Sequence, residues 1–405
     1  MLQRNGQAVR MLLILAVTSA RCAGAPQIHE AALEGDAASV ERLVSDGQDI
    51  NISLPERYYF TPLHAASANG HLEVVLLLLE SGADPDSTNE FAGRTPLHIV
   101  ARYDHPEVAN ALIRYGASVD AKPDAEAVGR LQNVVPSEDY GHLLPEWPLI
   151  SEGKALNDWS SGDVIGAQRS LGDAAYDGYE NVTPLWVAST SGSNKIVKVL
   201  LAVGAEPDSQ GILGMTPLFG ASLTGHVEIV NNLLDAGADP NKSSKFHTYK
   251  PLHAAALQGH IDVISSLLDS GANIDGKTEQ GEGVLHVAMA NQSGITLEYL
   301  IERGANLELE DELGLTPLLN AALSGKPEFV RLLHDNRADI NATMIGGRNA
   351  LHIAASLGHQ KVVETLISLG IDMELKDDEG QTALDNAVTR GYLEIAELLQ
   401  AHVAD

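Results

Sequence analysis

The chain has 405 residues, with 26 Lys and Arg against 55 Asp and Glu, a formal net charge of -29 and only 4% aromatic residues. Such an acidic balance, with no basic stripe to release counterions, excludes a nucleic-acid backbone as the main partner. A single cysteine, Cys22, excludes intrachain disulfides and is neutral about compartment.

At the N-terminus, Arg4 and Arg10 precede a short apolar run from Met11 to Ala20, followed by the small residues Ala23-Gly24-Ala25. Residues 1–25 read as a signal peptide-like leader, too short for a membrane span, and imply a periplasmic or secreted protein. Arg21 and Pro26 are awkward neighbours for a cleavage site, and an uncleaved leader on a cytoplasmic protein is the alternative. Arg21 also takes the place where a lipid anchor on Cys22 would need a small residue. No later segment is long and apolar enough to cross a membrane.

From residue 26 onward one helix-opening phrase recurs every 33 or 34 residues. Its clearest copies are Thr61-Pro62-Leu63-His64, Thr95-Pro96-Leu97-His98, Thr183-Pro184-Leu185, Thr216-Pro217-Leu218 and Thr316-Pro317-Leu318. Variants open at Pro251, Val284, Ala350 and Thr382. Thr before Pro starts a helix: the hydroxyl caps orphan backbone donors, and Pro at the first helical position gives up an N–H that has no partner there. Small residues such as Ala65-Ala66 let the next repeat approach. Val74, Val75, Leu78 and Leu79 give a second helix its apolar face. Gly82, Gly116, Gly204, Gly237, Gly271, Gly304 and Gly370 stop that second helix in a left-handed conformation. In one unit Arg337 holds this position and His334 takes the place of a Leu, which predicts a locally weak repeat.

The Ala-rich first helix, the Gly70-His71 step, the Leu78-Leu79 pair and the Gly82-Ala83-Asp84 ending, written again at Gly225-His226, Leu233-Leu234 and Gly237-Ala238-Asp239, together resemble the ankyrin-repeat family. The resemblance implies an all-α fold, an α-solenoid of about eleven helix-turn-helix ankyrin-like repeats with projecting β-turn hairpins. The unit at Ile28-His29-Glu30-Ala31-Ala32 reads as the N-terminal cap, and the unit ending at Leu398-Leu399 as the C-terminal one. Stacked repeats bury their faces against neighbours, so so long a chain can form one continuous array.

The rhythm breaks once. The 88 residues separating Thr95 from Thr183 exceed two repeats. Repeats therefore fill residues 26–122, a Pro-rich insertion residues 123–150, a degenerate repeat residues 151–182, and further repeats residues 183–405. All three tryptophans, Trp147, Trp159 and Trp186, fall in or beside this break, with Tyr176 and Tyr179 between them. Large rigid aromatics are the residues of interaction hot spots, so Trp147, Trp159, Tyr176 and Tyr179 are candidate partner contacts. The opposing expectation is that these rings seal the irregular junction. Tyr58, Tyr59, Phe60, Phe91, Phe246 and Tyr249 on hairpin tips, and Tyr103 on an inner helix end, form a second candidate surface.

Most of the fifteen histidines occupy repeat positions: His29, His64, His98, His253, His286 and His352 in or near the opening phrase, His71, His105, His226, His260 and His359 after the inter-helix turn. No remaining pair has metal-ligand spacing, and there is no phosphate loop or nucleophile elbow, so no metal, cofactor or catalytic residue is expected. Sequons occur at Asn51, Asn181, Asn241, Asn291 and Asn341, of which Asn51, Asn241 and Asn341 sit where the repeat favours a turn residue. Acidic runs at Glu308–Glu312 and Asp377–Glu379 are expected on solvated tips. The inner-face positions, among them Ser67, Ser189, Met289, Leu323, Leu357 and Arg390, mix polar and apolar character, which favours a protein surface as partner. As the resemblance implies, the expected function is non-catalytic protein binding on a concave face and turn tips by a monomeric scaffold. An exported effector acting on another cell and a cytoplasmic adaptor are the alternatives.

Overall fold

The computed structural model describes residues 27–53, 60–89, 93–123, 181–245, 247–291 and 294–403. Twenty α-helices lie among them, in ten pairs: α1 (Gln27–Glu34) and α2 (Ala37–Ser45), α3 (Pro62–Asn69) and α4 (Leu72–Glu80), α5 (Pro96–Tyr103) and α6 (Pro106–Arg114), α7 (Pro184–Ser191) and α8 (Asn194–Ala202), and α9 (Pro217–Thr224) and α10 (Val227–Asp235). The series continues with α11 (Pro251–Gln258) and α12 (Ile261–Asp269), α13 (Val284–Ala288) and α14 (Gly294–Glu302), α15 (Pro317–Leu323) and α16 (Pro327–Asp335), α17 (Ala350–Leu357) and α18 (Gln360–Ser368), and α19 (Ala383–Arg390) and α20 (Leu393–Val403). The insertion expected at 123–150 and the degenerate repeat expected at 151–182 lie outside the described residues, save Pro123 and the last two positions.

The caps form as the residue types dictate. Thr183 Oγ1 accepts the amide of Trp186 at 3.2 Å, and Thr216 Oγ1 that of Phe219 at 3.1 Å. Past the second helices Gly82, Gly116 and Gly271 take φ of 93°, 97° and 89°, and Arg337 is held at 76° in the same role. A Cβ at Gly82, Gly116 or Gly271 would meet nothing within 4 Å. Backbone conformation alone, not crowding, selects glycine there.

Gly70 has a second reason to be glycine. It ends α3 at φ 73°, and a Cβ on it would lie 2.6 Å from the ring of His105, which belongs to the next repeat. Gly35 meets His71 in the same way, and Gly225 meets His260. The Gly-His step is thus one contact shared between neighbours: the imidazole lies flat on the preceding glycine while His71 Nε2 reaches the Leu33 carbonyl at 3.0 Å.

The described residues group into two compact units, one running to Ala221 with Asn231–Ala238, the other formed by Ser222–Val230 and the residues from Asp239. In the first unit α1, α3, α5 and α7 pack in sequence, and α2, α4, α6 and α8 form a parallel layer. The second unit repeats this with α11, α13, α15, α17 and α19 over α14, α16, α18 and α20. The core lies between layers and is aliphatic: Leu63, Val74, Leu78, Leu97, Leu112, Leu185 and Leu200 in the first unit, Leu252, Leu267, Leu318, Leu333, Leu351 and Leu366 in the second, all buried.

The repeat opening at Thr95 and the one opening at Thr183 are immediate neighbours. α5 packs on α7, His98 Nε2 reaches the Val182 carbonyl at 2.9 Å, and the Glu206 amide donates to Asp120 Oδ1 at 3.1 Å. These contacts are the same as those made elsewhere across a single repeat length.

Candidate protein-binding surface

Among the described residues, hairpins project between one second helix and the next first helix. The hairpins are closed by backbone bonds from Asn89 to Arg94, Ser244 to Tyr249, Thr278 to Glu282, Asp311 to Leu315, Met344 to Arg348 and Asp377 to Gln381, at 2.8–3.1 Å. Aspartates build them. Asp311 Oδ1 accepts the amides of Leu313 and Leu315, both at 2.8 Å, and Asp377 Oδ1 accepts those of Glu379 and Gln381 at 3.0 and 2.9 Å. Asp377, expected on a solvated tip, is instead buried, with the Arg348 guanidinium 3.3 Å from its other oxygen.

The tips are bonded to one another. In the second unit Glu279 N donates to His247 O at 3.1 Å, Glu312 N to Gln280 O at 2.9 Å, Ile345 N to Leu313 O at 3.0 Å and Asp378 N to Gly346 O at 3.0 Å. Gly281 and Gly314 permit this approach, for a Cβ on either would lie within 3.0 Å of the next hairpin's backbone. At the base of the hairpins Asn and Asp side chains tie repeat to repeat: Asn51 Oδ1 accepts from Asp84 N at 3.1 Å, Asn241 Oδ1 from Asn273 N at 2.8 Å and Asn341 Oδ1 from Asp372 N at 3.0 Å. The three sequon asparagines thus act as turn residues.

Beneath the hairpins runs a line of histidines. His64 Nδ1 accepts the backbone N–H of Thr61 at 3.3 Å, which leaves the ring proton on Nε2, donated to the Arg94 carbonyl at 2.9 Å. His98 and His286 are held the same way, with Nε2 against Val182 and Leu315; His352 Nε2 likewise meets the Gln381 carbonyl at 3.1 Å, but its Nδ1 lies 2.6 Å from Asn349 Oδ1, an acceptor. In these four the partner carbonyl is that of the residue just before the next repeat's helix cap, whereas His253 Nε2 meets the Gly276 carbonyl at 2.9 Å. Burial holds His64 and His253 down at about 4 and His98 at about 3, against an ordinary value of 6.5. Trp186 stands in the histidine position of its repeat and makes the equivalent bond, its Nε1 donating to the Met215 carbonyl at 2.9 Å, whereas Phe219 and Leu319 hold that position in α9 and α15 and interrupt the line.

Of the ten candidate contacts, Trp147, Trp159, Tyr176, Tyr179, Tyr58, Tyr59, Phe91 and Phe246 lie outside the described residues. Tyr103 ends α5, half-buried, with the Arg102 guanidinium 5.8 Å from its ring centre. Tyr249 faces inward. It is 7% exposed, its ring stacks on His253 at 5.7 Å, and its hydroxyl donates to Glu282 Oε2 at 3.4 Å. Burial, with the Glu282 charge beside it, drives the phenol pKa up, and burial raises Glu282 as well. Trp186 is likewise 4% exposed, its ring packed against Gly211 of the following repeat. Several inner-face positions also prove to be core: Ser67, Ser189 and Met289 are buried because the sixth residue after the cap meets a neighbouring helix. The last residues of the first helices do face out, as at Leu323, Leu357 and Arg390.

Exposed apolar side chains occur on helices, as at Ile295 and Leu393, and also on two neighbouring hairpin tips. Leu313 and Ile345, on adjacent tips, are 57% and 70% exposed. Leu213, at the tip position matching Leu313, is only 4% exposed, so an apolar residue at a tip is not outward by default. Among the described residues there is no cluster of His, Cys, Asp or Glu able to hold a metal ion, and no helix long and apolar enough to cross a membrane.

Comparison with known proteins gives a consistent result. A family model described as ankyrin repeats (3 copies) matches residues 28–123, 166–244, 242–311, 285–377 and 318–405. The Drosophila melanogaster ankyrin repeat and KH domain-containing protein mask is 44% identical over 87 residues, 21% of this chain and 2% of that protein. The Mus musculus B-cell lymphoma 3 protein homolog is 32% identical over 124 residues, 30% of this chain and 28% of that protein. This chain therefore spans under a third of the length of these curated relatives. The crystal structure of the human ASB11 ankyrin repeat domain superposes with a TM-score of 0.51 at 23% identity, covering 70% of this chain and 99% of that one.

Proposed function

Because this chain belongs to the ankyrin-repeat family, whose repeats mediate protein–protein interaction, we propose that it is a non-catalytic scaffold that binds a protein partner on its hairpin tips and the outward ends of its first helices, the expected concave face. The observation that carries this reading is the row of hairpin tips bonded backbone to backbone, which presents side chains in fixed order on a rigid edge. The tips carrying Leu313 and Ile345 expose two adjacent apolar side chains, whereas the second-helix surface is polar at Arg331 and Glu364 and carries its exposed apolar residues, Ile295 and Leu393, on separate repeats. The acidic balance of the chain favours a protein over a nucleic acid.

A photo-crosslinking amino acid at position 313 or 345 should trap a partner in cells of the source organism, and the same residue at 331 or 364 should not. Trapping only from 331 or 364 would overturn the tip surface.

The leader of residues 1–25 supports placement in the periplasm or outside the cell, with an exported effector as one form of that reading and a cytoplasmic adaptor as the alternative. Mass spectrometry of the N-terminus decides between them. A chain beginning near Pro26 outside the cytoplasm supports export, and an intact Met1 in the cytosol sinks it.

A further inference from the structure

We infer that the tips carrying Leu313 and Ile345 form the seat for an extended peptide segment with an apolar centre and basic residues at both ends; this rests on the scaffold reading above and names the chemistry of its partner. Two adjacent tips place large aliphatic side chains outward, and the Ile345 amide bonded to the Leu313 carbonyl at 3.0 Å fixes them side by side. On one flank Glu279, Glu310 and Glu312 are exposed, and on the other Asp378 and Glu379. The Asp378 carboxylate lies against the Ile345 hairpin: a Cβ added to Gly347 would stand 2.8 Å from its Oδ1.

Three cations lie near these carboxylates: Lys277, whose Nζ donates to the Glu310 carbonyl at 2.7 Å, the exposed Lys376, and Arg348. Arg348 holds Asp377 at 3.3 Å and reaches Glu379 at 4.0 Å, too long and too exposed to neutralise Glu379, whose side chain is 76% exposed. Glu279, Glu310 and Glu312 outnumber Lys277 on one side, and Asp377, Asp378 and Glu379 outnumber Arg348 and Lys376 on the other. The potential is therefore negative on both sides of an apolar pair, and its complement is a segment with Lys or Arg at both ends. Gly346, where a Cβ would meet nothing within 4 Å, leaves room for the backbone of such a segment beside Ile345.

The length of the segment follows from the repeat. Neighbouring helices pack about 8–10 Å apart, so the three repeat steps from the Glu279 tip to the Asp378 tip span about 25–30 Å. At about 3.3 Å per residue an extended chain covers that distance in about eight or nine residues. The partner segment should carry basic residues near its ends and Leu, Ile, Val or an aromatic at its centre.

Selection from a random nine-residue peptide library on the full chain tests this. Enriched peptides should show basic ends and an apolar centre. Their affinity, read by fluorescence anisotropy, should fall at least tenfold for Leu313→Ser/Ile345→Ser and several-fold for Glu312→Gln/Asp378→Asn, and should be unchanged for Glu364→Gln. All these residues are exposed, and matching circular dichroism spectra will show that the variants fold. Enriched peptides without basic ends, or binding indifferent to Leu313→Ser/Ile345→Ser, would overturn the inference and leave the scaffold reading standing. No enrichment of any peptide would count against both.

Discussion

At the scale of single residues, the repeat shows where a position is constrained by backbone and where by a neighbour. Arg337 sits at φ 76° in a role otherwise filled by glycines with open space around the missing Cβ. A left-handed non-glycine costs about 1–2 kcal/mol, and glycine's extra freedom in the unfolded chain returns about half of that. Arg337→Gly should therefore raise the melting temperature by about 1–3 °C, read by circular dichroism, and no change or a drop would reject the strain. Gly70→Ala should do the reverse, because the new methyl enters the His105 ring as well as a strained conformation. A loss of about 2–4 kcal/mol is expected. Ser67 and Ser189 give a third case. Their hydroxyls are buried with no hydrogen-bond partner where other repeats place Ala101, Ala256 and Ala322. Ser67→Ala should stabilise by about 1 kcal/mol in denaturant unfolding.

These residue roles were legible to different degrees. The helix caps and the terminal glycines were readable because one residue type answers one local requirement. Arg337's strain was readable from register. The inward turn of Tyr249 was not: hairpin tip and hairpin base differ by a few residues, and only the fold reveals the His253 ring and Glu282 carboxylate waiting for it. Asp377 hid for the same reason, since an acidic run reads as solvated whether or not one member folds back to bind its own backbone.

At the scale of elements, buried imidazoles couple the first helices α3, α5, α11, α13 and α17 to the hairpins that follow. Burial is the main cause that disfavours a second proton on His64, His98 and His253. The folded values of His64, His98 and His253 lie below 6.5, so the unfolded chain binds more protons between pH 6.5 and about 4, or about 3 for His98. Stability from these residues is complete above pH 6.5 and is lost as the pH falls through that window. At pH 5 each costs about 2 kcal/mol. Melting temperature should fall steeply between pH 6.5 and 4.5, and His64→Gln/His98→Gln/His253→Gln, though less stable at pH 7.5, should show a shallower slope. An equal slope would remove histidine as the cause.

At the scale of the whole molecule, stacked repeats make stability a sum of nearest-neighbour interfaces. The contacts of His98 with Val182 and of Asp120 with Glu206 bring the two ends of the break into one interface. Replacing residues 124–180 by a short Gly-Ser linker should then keep the helical circular dichroism per repeat and leave the melting temperature within a few degrees. If that excised chain folds yet loses its partner, Trp147, Trp159, Tyr176 and Tyr179 carry the contact, and if it keeps the partner the hairpin tips do. The period of 33 residues made the fold class readable at once because the same packing problem is solved in each copy. The binding edge was only partly readable. Leu323 and Leu357 follow from their place at helix ends, whereas the outward turn of Leu313 and Ile345, against the inward Leu213, depends on how each tip meets its neighbour.

Recognition through hairpin tips and first-helix ends is tested most directly by hydrogen–deuterium exchange on the full chain, free and with the partner trapped at position 313 or 345. Protection should rise in residues 311–315 and 344–348 and at the C-terminal ends of α15 and α17, with α16 and α18 unchanged. Protection confined to α16 and α18 would contradict it and place the binding surface on the second helices.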